Sequence, residues 1–217
     1  MSRNIELSID EFYHVFNHGN GDRLIFLDDK DKDRLVKLLY LMNSANSILS
    51  EDTPFGQEFF FDRGETIVDI GAYVLMDNHY HLLLKEKIEG GISKFIQKLV
   101  TAYAMYFNAR HRKRGTLFEG RFKAKHLSLD EYLRHMFAYI HLNPVKIIEP
   151  RWKEVGLKDS QAIIGFLKKY RFSSYLDYLG QSRLENKILN KTAFPEYFFN
   201  TQEIETEMMD WLDFENF

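Results

Sequence analysis

Apolar positions along the chain switch between a two-residue period and a helical one, and the order of the switches outlines a fold. Residues 12–16, Phe-Tyr-His-Val-Phe, are aromatic and β-branched and predict a strand. The cluster Asn17-His18-Gly19-Asn20-Gly21 predicts a turn. Over residues 31–48, Leu35, Leu38, Leu39 and Met42 recur at helical spacing and predict an amphipathic helix. Residues 50–64 contain Pro54, Gly56 and Gly64 and predict a loop. Two further strands are predicted over 67–76 and 79–85, separated by Asp77-Asn78. After Gly90-Gly91, the spacing of Ile92, Phe95, Ile96, Leu99, Tyr103 and Tyr106 predicts a helix over 92–110. Residues 115–127 are basic and partly extended.

A third helix is predicted over 129–142, capped by Ser128 or Asp130. Pro144 should end it, because the residue before a proline avoids helical geometry. Beyond Glu149 the pattern weakens, to a helix over 158–170 and a short aromatic segment over 172–179. No internal repeat or low-complexity stretch interrupts the order. Strand, helix, strand, strand, helix, strand and helix together imply an α+β chain, with helices packed on one face of an antiparallel sheet.

Composition narrows the class. With 217 residues, 45% of them hydrophobic, the chain can bury a core of its own and is not of disordered type. It has no cysteine, which excludes a disulfide framework and a thiolate zinc site. Residues 1–10 have no signal-like apolar core, and no run reaches the roughly 18 apolar residues of a membrane span. A soluble, cytoplasmic protein with no membrane partner is expected.

The net charge of −3 argues against a nucleic-acid partner until its distribution is considered. Between residues 94 and 126 stand Lys94, Lys98, Arg110, Arg112, Lys113, Arg114, Arg121, Lys123 and Lys125, against the single acid Glu119. Residues 201–217 carry six acids and no Lys or Arg. Such a run is as readily a solvated helix face as a binding surface.

The sharpest chemistry lies in His79-Tyr80-His81. Side chains two apart on a strand share a face, so the histidines point one way and Tyr80 the other. Two neutral imidazoles can converge on one divalent ion, which then needs a third group and water. A bare His-x-His pair is more often two polar residues on a half-exposed strand, but the apolar flanks place this one in the sheet. On the third helix, Leu133, Phe137 and Ile140 form an apolar stripe, with Tyr132, Tyr139 and Asn143 along its flank. Asn143, four residues after Tyr139, is one turn away and can offer an oxygen to a hard cation. A tyrosine hydroxyl loses its proton only near about pH 10, so a nucleophilic Tyr139 needs a metal or base beside it. The alternative is a tyrosine packed at the core boundary.

Four segments in order resemble the REP-associated tyrosine transposases, relatives of the single-tyrosine insertion-sequence transposases of the HUH nuclease type. They are Met76-Asp77-Asn78-His79-Tyr80-His81, Tyr103-Ala104-Met105-Tyr106-Phe107-Asn108, Gly115-Thr116-Leu117-Phe118-Glu119-Gly120-Arg121-Phe122 and Tyr139-Ile140-His141-Leu142-Asn143-Pro144. The stretch from Tyr13 to Asn20 is similar to the family's first strand and turn, and the resemblance spans residues 12–152.

The resemblance implies a ferredoxin-like catalytic domain over residues 1–152, followed by a mostly helical C-terminal extension over 153–217. It implies Mg²⁺ or Mn²⁺ on His79 and His81, Asn143 as third ligand and Tyr139 as nucleophile. The activity implied is cleavage and rejoining of single-stranded or hairpin DNA through a 5′-phosphotyrosine link, by a monomer or homodimer. Arg110, Arg112, Lys113, Arg114, Arg121, Lys123 and Lys125 are the candidate DNA contacts. Two positions depart from the pattern: His18 stands where the family commonly has arginine, and Asn143 where the insertion-sequence relatives usually have glutamine.

Three rivals bear on this reading. Histidine triad hydrolases need a longer alternation of histidines than His79-Tyr80-His81-Leu82-Leu83-Leu84 offers. A non-catalytic nucleic-acid-binding descendant of a transposase would look much the same in sequence. A phosphodiesterase with water as nucleophile would form no covalent adduct.

Overall fold

The computed structural model describes residues 6–48, 56–152, 159–196 and 201–213. Strands β1 (Phe12–His18), β2 (Val68–Met76), β3 (His79–Glu86) and β4 (Lys123–His126) form one antiparallel sheet in the order β2-β3-β1-β4. The central pair is set in register by Phe16 opposite His81 and His18 opposite His79. On the far side of β3, Val74 lies opposite His81 and Met76 opposite His79.

Alternation along the strands divides the core into two layers. Tyr13, Val15, Tyr73, Leu75, Tyr80, Leu82 and Leu84 face helices α1 (Asp29–Leu41) and α2 (Gly91–His111), whose Leu35, Leu39, Phe95 and Leu99 complete that layer. This is the helical face that the sequence pattern implies. The opposite face carries Val74, Met76 and Leu83, and a second helical layer covers it. That layer consists of α3 (Asp130–Leu142), the one-turn α4 (Val145–Ile148), α5 (Ser160–Leu167), α6 (Tyr175–Tyr178) and α7 (Thr201–Asp213). The described part of the C-terminal extension thus shares a core with α3 and the sheet.

Most helix ends have identifiable causes. Asp28 caps α1, its carboxylate accepting from the Asp31 amide at 3.2 Å. The helix stops at Leu41 rather than reaching residue 48, because Asn43 and Ser44, just past the C-cap Met42, turn their side chains to the backbone elsewhere. Asn43, 1% exposed, accepts from the Ile67 and Val68 amides at 3.0 and 3.1 Å and donates to the Val68 carbonyl at 2.9 Å. Ser44 donates to the Arg63 carbonyl at 2.6 Å. The buried Glu86 carboxylate accepts from the Ile92 amide at 2.7 Å, meeting the positive end of α2. At α3 the N-cap is Leu129, between the two expected caps, and it makes no side-chain cap hydrogen bond. The predicted loop over 50–64 lies partly outside the described residues; its described part holds a 3-10 turn at Glu58–Phe60.

The free edge of β2 is closed by residues 170–178. The Leu75 amide donates to the Phe172 carbonyl at 3.0 Å, and the Ser174 amide to the Tyr73 carbonyl at 3.0 Å. Tyr170 and Tyr178 donate their hydroxyls to the Leu75 and Gly71 carbonyls, both at 2.6 Å. An open sheet edge is an aggregation hazard, and this strap removes it. No helix of the described residues is long and apolar enough to cross a membrane.

Candidate functional site

The face of the sheet that meets α3 carries four histidines. His14 and His18 alternate with Phe16 along β1, and His79 and His81 flank Tyr80 on β3. The rings of His79 and His81 lie 4.9 Å apart, while Tyr80 is fully buried in the opposite layer. His18 stacks on His79 at 5.0 Å, and His14 on His81 at 4.9 Å. The Tyr139 ring meets His81 edge-on at 5.4 Å and His14 at 5.9 Å.

Hydrogen bonds fix which nitrogens face the cleft. His79 Nδ1 is 2.6 Å from the Asn78 amide oxygen, and His81 Nδ1 is 2.8 Å from His14 Nε2. His81 Nε2 is buried and has no partner. Burial, reinforced by nearby positive charge, pushes His14 down to about 3 and His79 to about 4, and holds His81 well below the usual histidine range. All three rings are therefore uncharged near neutrality, the form in which imidazole binds a cation.

α3 and α4 supply the opposing wall. The chain does not leave helical geometry at Pro144 as the sequence implies. α3 ends at Leu142, but Asn143 keeps right-handed angles (φ −52°, ψ −39°) and α4 resumes at Val145. Tyr139, Asn143 and Lys146, four and then three residues apart, therefore share one wall. Asn143, 2% exposed, donates to the Tyr139 carbonyl at 3.2 Å. Lys146 donates to the Asn143 amide oxygen at 3.4 Å, and its ammonium lies 5.5 Å from the Tyr139 ring centre. It makes no ion pair among the described residues, and burial lowers its pKa.

Among the described residues, no group of three His, Asp or Glu side chains is arranged to hold a metal ion by itself. The donor set is two imidazoles and one amide oxygen. It fits a divalent cation that accepts imidazole nitrogen and takes its remaining ligands from water and substrate phosphate. The orphaned His81 Nε2 fits the same use, since a buried imidazole nitrogen without a partner is costly otherwise.

The candidate basic residues separate into groups. Lys123 and Lys125 lie opposite Phe16 and His14 across the β1–β4 pair, so they extend the histidine face to the sheet edge. Arg112, Lys113, Arg114 and Arg121 are exposed on the segment linking α2 to β4. Arg110 is held elsewhere: it pairs with Asp28 at 2.8 Å and with the buried Asp31, which also bonds His111 at 2.9 Å. Two acids of α7 have partners of their own on neighbouring helices. Glu207 pairs with Arg134, and Glu205 with Lys168 at 2.7 Å. Of the other tyrosines, Tyr132 is 54% exposed, whereas Tyr103 is buried and donates to the Ile25 carbonyl.

Sequence reasoning passed over two residues of the site. His14 was visible as the second member of an alternation with Phe12, Phe16 and His18. Lys146 was hidden by Pro144, which made residues 145–148 look detached from α3.

The family model for IS200-like transposases matches residues 63–143, which take in β2, β3, α2, β4, α3 and, of the wall, Tyr139 and Asn143 but not Lys146. A solved structure of a REP-associated tyrosine transposase bound to a REP hairpin is similar in fold, with a TM-score of 0.50 at 14% identity. The match covers 85% of this chain and 90% of that one. No curated protein matches.

Proposed function

We propose, for a chain whose residues 63–143 match the IS200-like transposase family model, that it cleaves and rejoins single-stranded DNA with Tyr139 as nucleophile. The observation that carries the reading is the approach of the Tyr139 ring to the His79–His81 face, with Asn143 and Lys146 beside it. His79 Nε2, His81 Nε2 and the Asn143 amide oxygen would hold the cation, Mg²⁺ or Mn²⁺. When bound, the cation would polarise the scissile phosphate and favour ionisation of the phenol.

The rest falls to the chain itself. Lys146, with no carboxylate partner, donates to a non-bridging phosphate oxygen. The Tyr139 oxygen bonds to phosphorus as the bond to the 3′-side oxygen breaks. That oxygen leaves as a 3′-hydroxyl, gaining a proton equivalent to the one the phenol loses, and the 5′ phosphate stays on Tyr139. Reversal with a different 3′-hydroxyl joins a new end without ATP. Lys123 and Lys125 continue the cationic surface from the cleft, and Arg112, Lys113, Arg114 and Arg121 extend it towards the α2 terminus. A hairpin-forming strand is the substrate to try first, since the similar structure holds a REP hairpin.

The test is incubation with labelled single-stranded hairpin oligonucleotides and Mn²⁺, followed by a denaturing gel. The parent protein should form a covalent adduct. Tyr139→Phe keeps the ring and should keep fold and DNA binding while losing the adduct. Adduct formation by Tyr139→Phe at the parent rate would overturn the assignment, and Tyr132 would be the next candidate. Cleavage without any adduct would favour water as nucleophile.

A further inference from the structure

We infer that His14 is a positioning residue for the cation site: it fixes the tautomer of His81 so that His81 Nε2, bare of hydrogen, faces the cleft. The inference rests on the metal reading above and names a residue outside the ligand set.

Three observations carry it. His14 Nε2 lies 2.8 Å from His81 Nδ1, with both side chains buried. One proton must sit between two nitrogens at that distance, so one ring donates and the other accepts. Second, His81 Nε2 is buried with no hydrogen-bond partner. A proton there would be a buried donor without an acceptor, which is costly. With the proton on His81 Nδ1, donated to His14 Nε2, the unpartnered Nε2 instead carries a lone pair, an acceptor whose cost a bound cation would remove. Third, His14 is itself packed against the Phe16 ring at 4.9 Å and the Tyr139 ring at 5.9 Å, contacts that restrict its ring and its acceptor nitrogen. His79 is served in the same way by the Asn78 amide oxygen at 2.6 Å from its Nδ1. Two neighbouring side chains thus hold both imidazoles with Nε2 towards one cleft, before any cation arrives. Such outer partners typically change metal affinity by about 10–100-fold.

The experiment has two arms, neither of which reads activity. In the first, long-range ¹H–¹⁵N spectra of the metal-free protein locate the ring protons, with His81 assigned by its loss in His81→Gln. The parent should show His81 protonated at Nδ1 and bare at Nε2, and His14→Phe should lose that preference. A parent His81 protonated at Nε2 would overturn the inference without any His14 variant having to fold. In the second arm, Mn²⁺ binding is measured by electron paramagnetic resonance. His14→Phe should bind about 10–100-fold more weakly than the parent. His14→Gln, whose terminal amide reaches the place of Nε2 and can accept the same bond, should recover most of the affinity. Equal affinity of parent and His14→Phe would overturn the role of His14 alone. Absence of Mn²⁺ binding by the parent would overturn the metal reading itself, while the spectra still decide the tautomer.

Discussion

Lys146 shows how one residue can matter more than its visibility in the sequence suggests. A half-buried ammonium is costly without an anion, and its described partner is a neutral amide oxygen at 3.4 Å. The site therefore offers a positive charge that a bound phosphate would satisfy. Hydrogen bonds to charged groups contribute about 1.5–3 kcal/mol, so Lys146→Met should lower kcat/KM for strand cleavage by about tenfold to a hundredfold. The fold should be unaffected, and Lys146→Arg should recover part of the loss. Single-turnover cleavage rates check this; a Lys146→Met protein as fast as the parent would remove the residue from the mechanism. His79, His81, Tyr139 and Asn143 were legible because strand and helix periods say which side chains share a face. His14 and Lys146 were not, because each depends on a long-range fact: the β1–β3 register for one, helical backbone continuing through Pro144 for the other.

At the scale of elements, the end of α1 is decided by side chains that bond to a distant strand. Asn43 satisfies two amides and one carbonyl at the start of β2, bonds no local pattern announces. Asn43→Ala would leave the Ile67 and Val68 amides buried without acceptors and should cost about 1–3 kcal/mol. Urea unfolding should show a lower midpoint with an unchanged slope; an unchanged midpoint would mean that water or a shifted backbone replaces the amide. The strands and central helices were legible to within a few residues for the opposite reason, since their apolar periods are determined locally. The second helical layer was harder to foresee, because its sheet-side positions include histidines and short aromatic segments rather than a continuous apolar stripe.

At the scale of the molecule, the C-terminal elements and the charge distribution become one question. The strap over residues 170–178 and the α5–α7 layer close the β2 edge and bury the back of α3, which holds Tyr139. A chain ending at Trp152 should therefore lose stability and solubility together, as a lower melting temperature and aggregation would report. A soluble, active fragment would show that the extension is dispensable.

Glu207 and Glu205 of α7 pair with Arg134 and Lys168, and the basic edge at β4 carries Lys125 and Lys123, the latter 3.9 Å from Glu119. Each phosphate neutralised on a single strand contributes about −0.7 to the slope of log affinity against log salt. The double substitution Lys123→Gln, Lys125→Gln should flatten that slope by about 1.4. Arg110→Gln, although it removes the same kind of charge from the same stretch of sequence, should leave the slope unchanged. Its guanidinium is already neutralised by Asp28 and Asp31, so its loss should appear as a lower melting temperature, from a buried Asp31 deprived of a partner. Equal slopes for the parent and the double lysine variant would move the DNA path away from β4, towards the Arg112–Arg114 end of the basic segment.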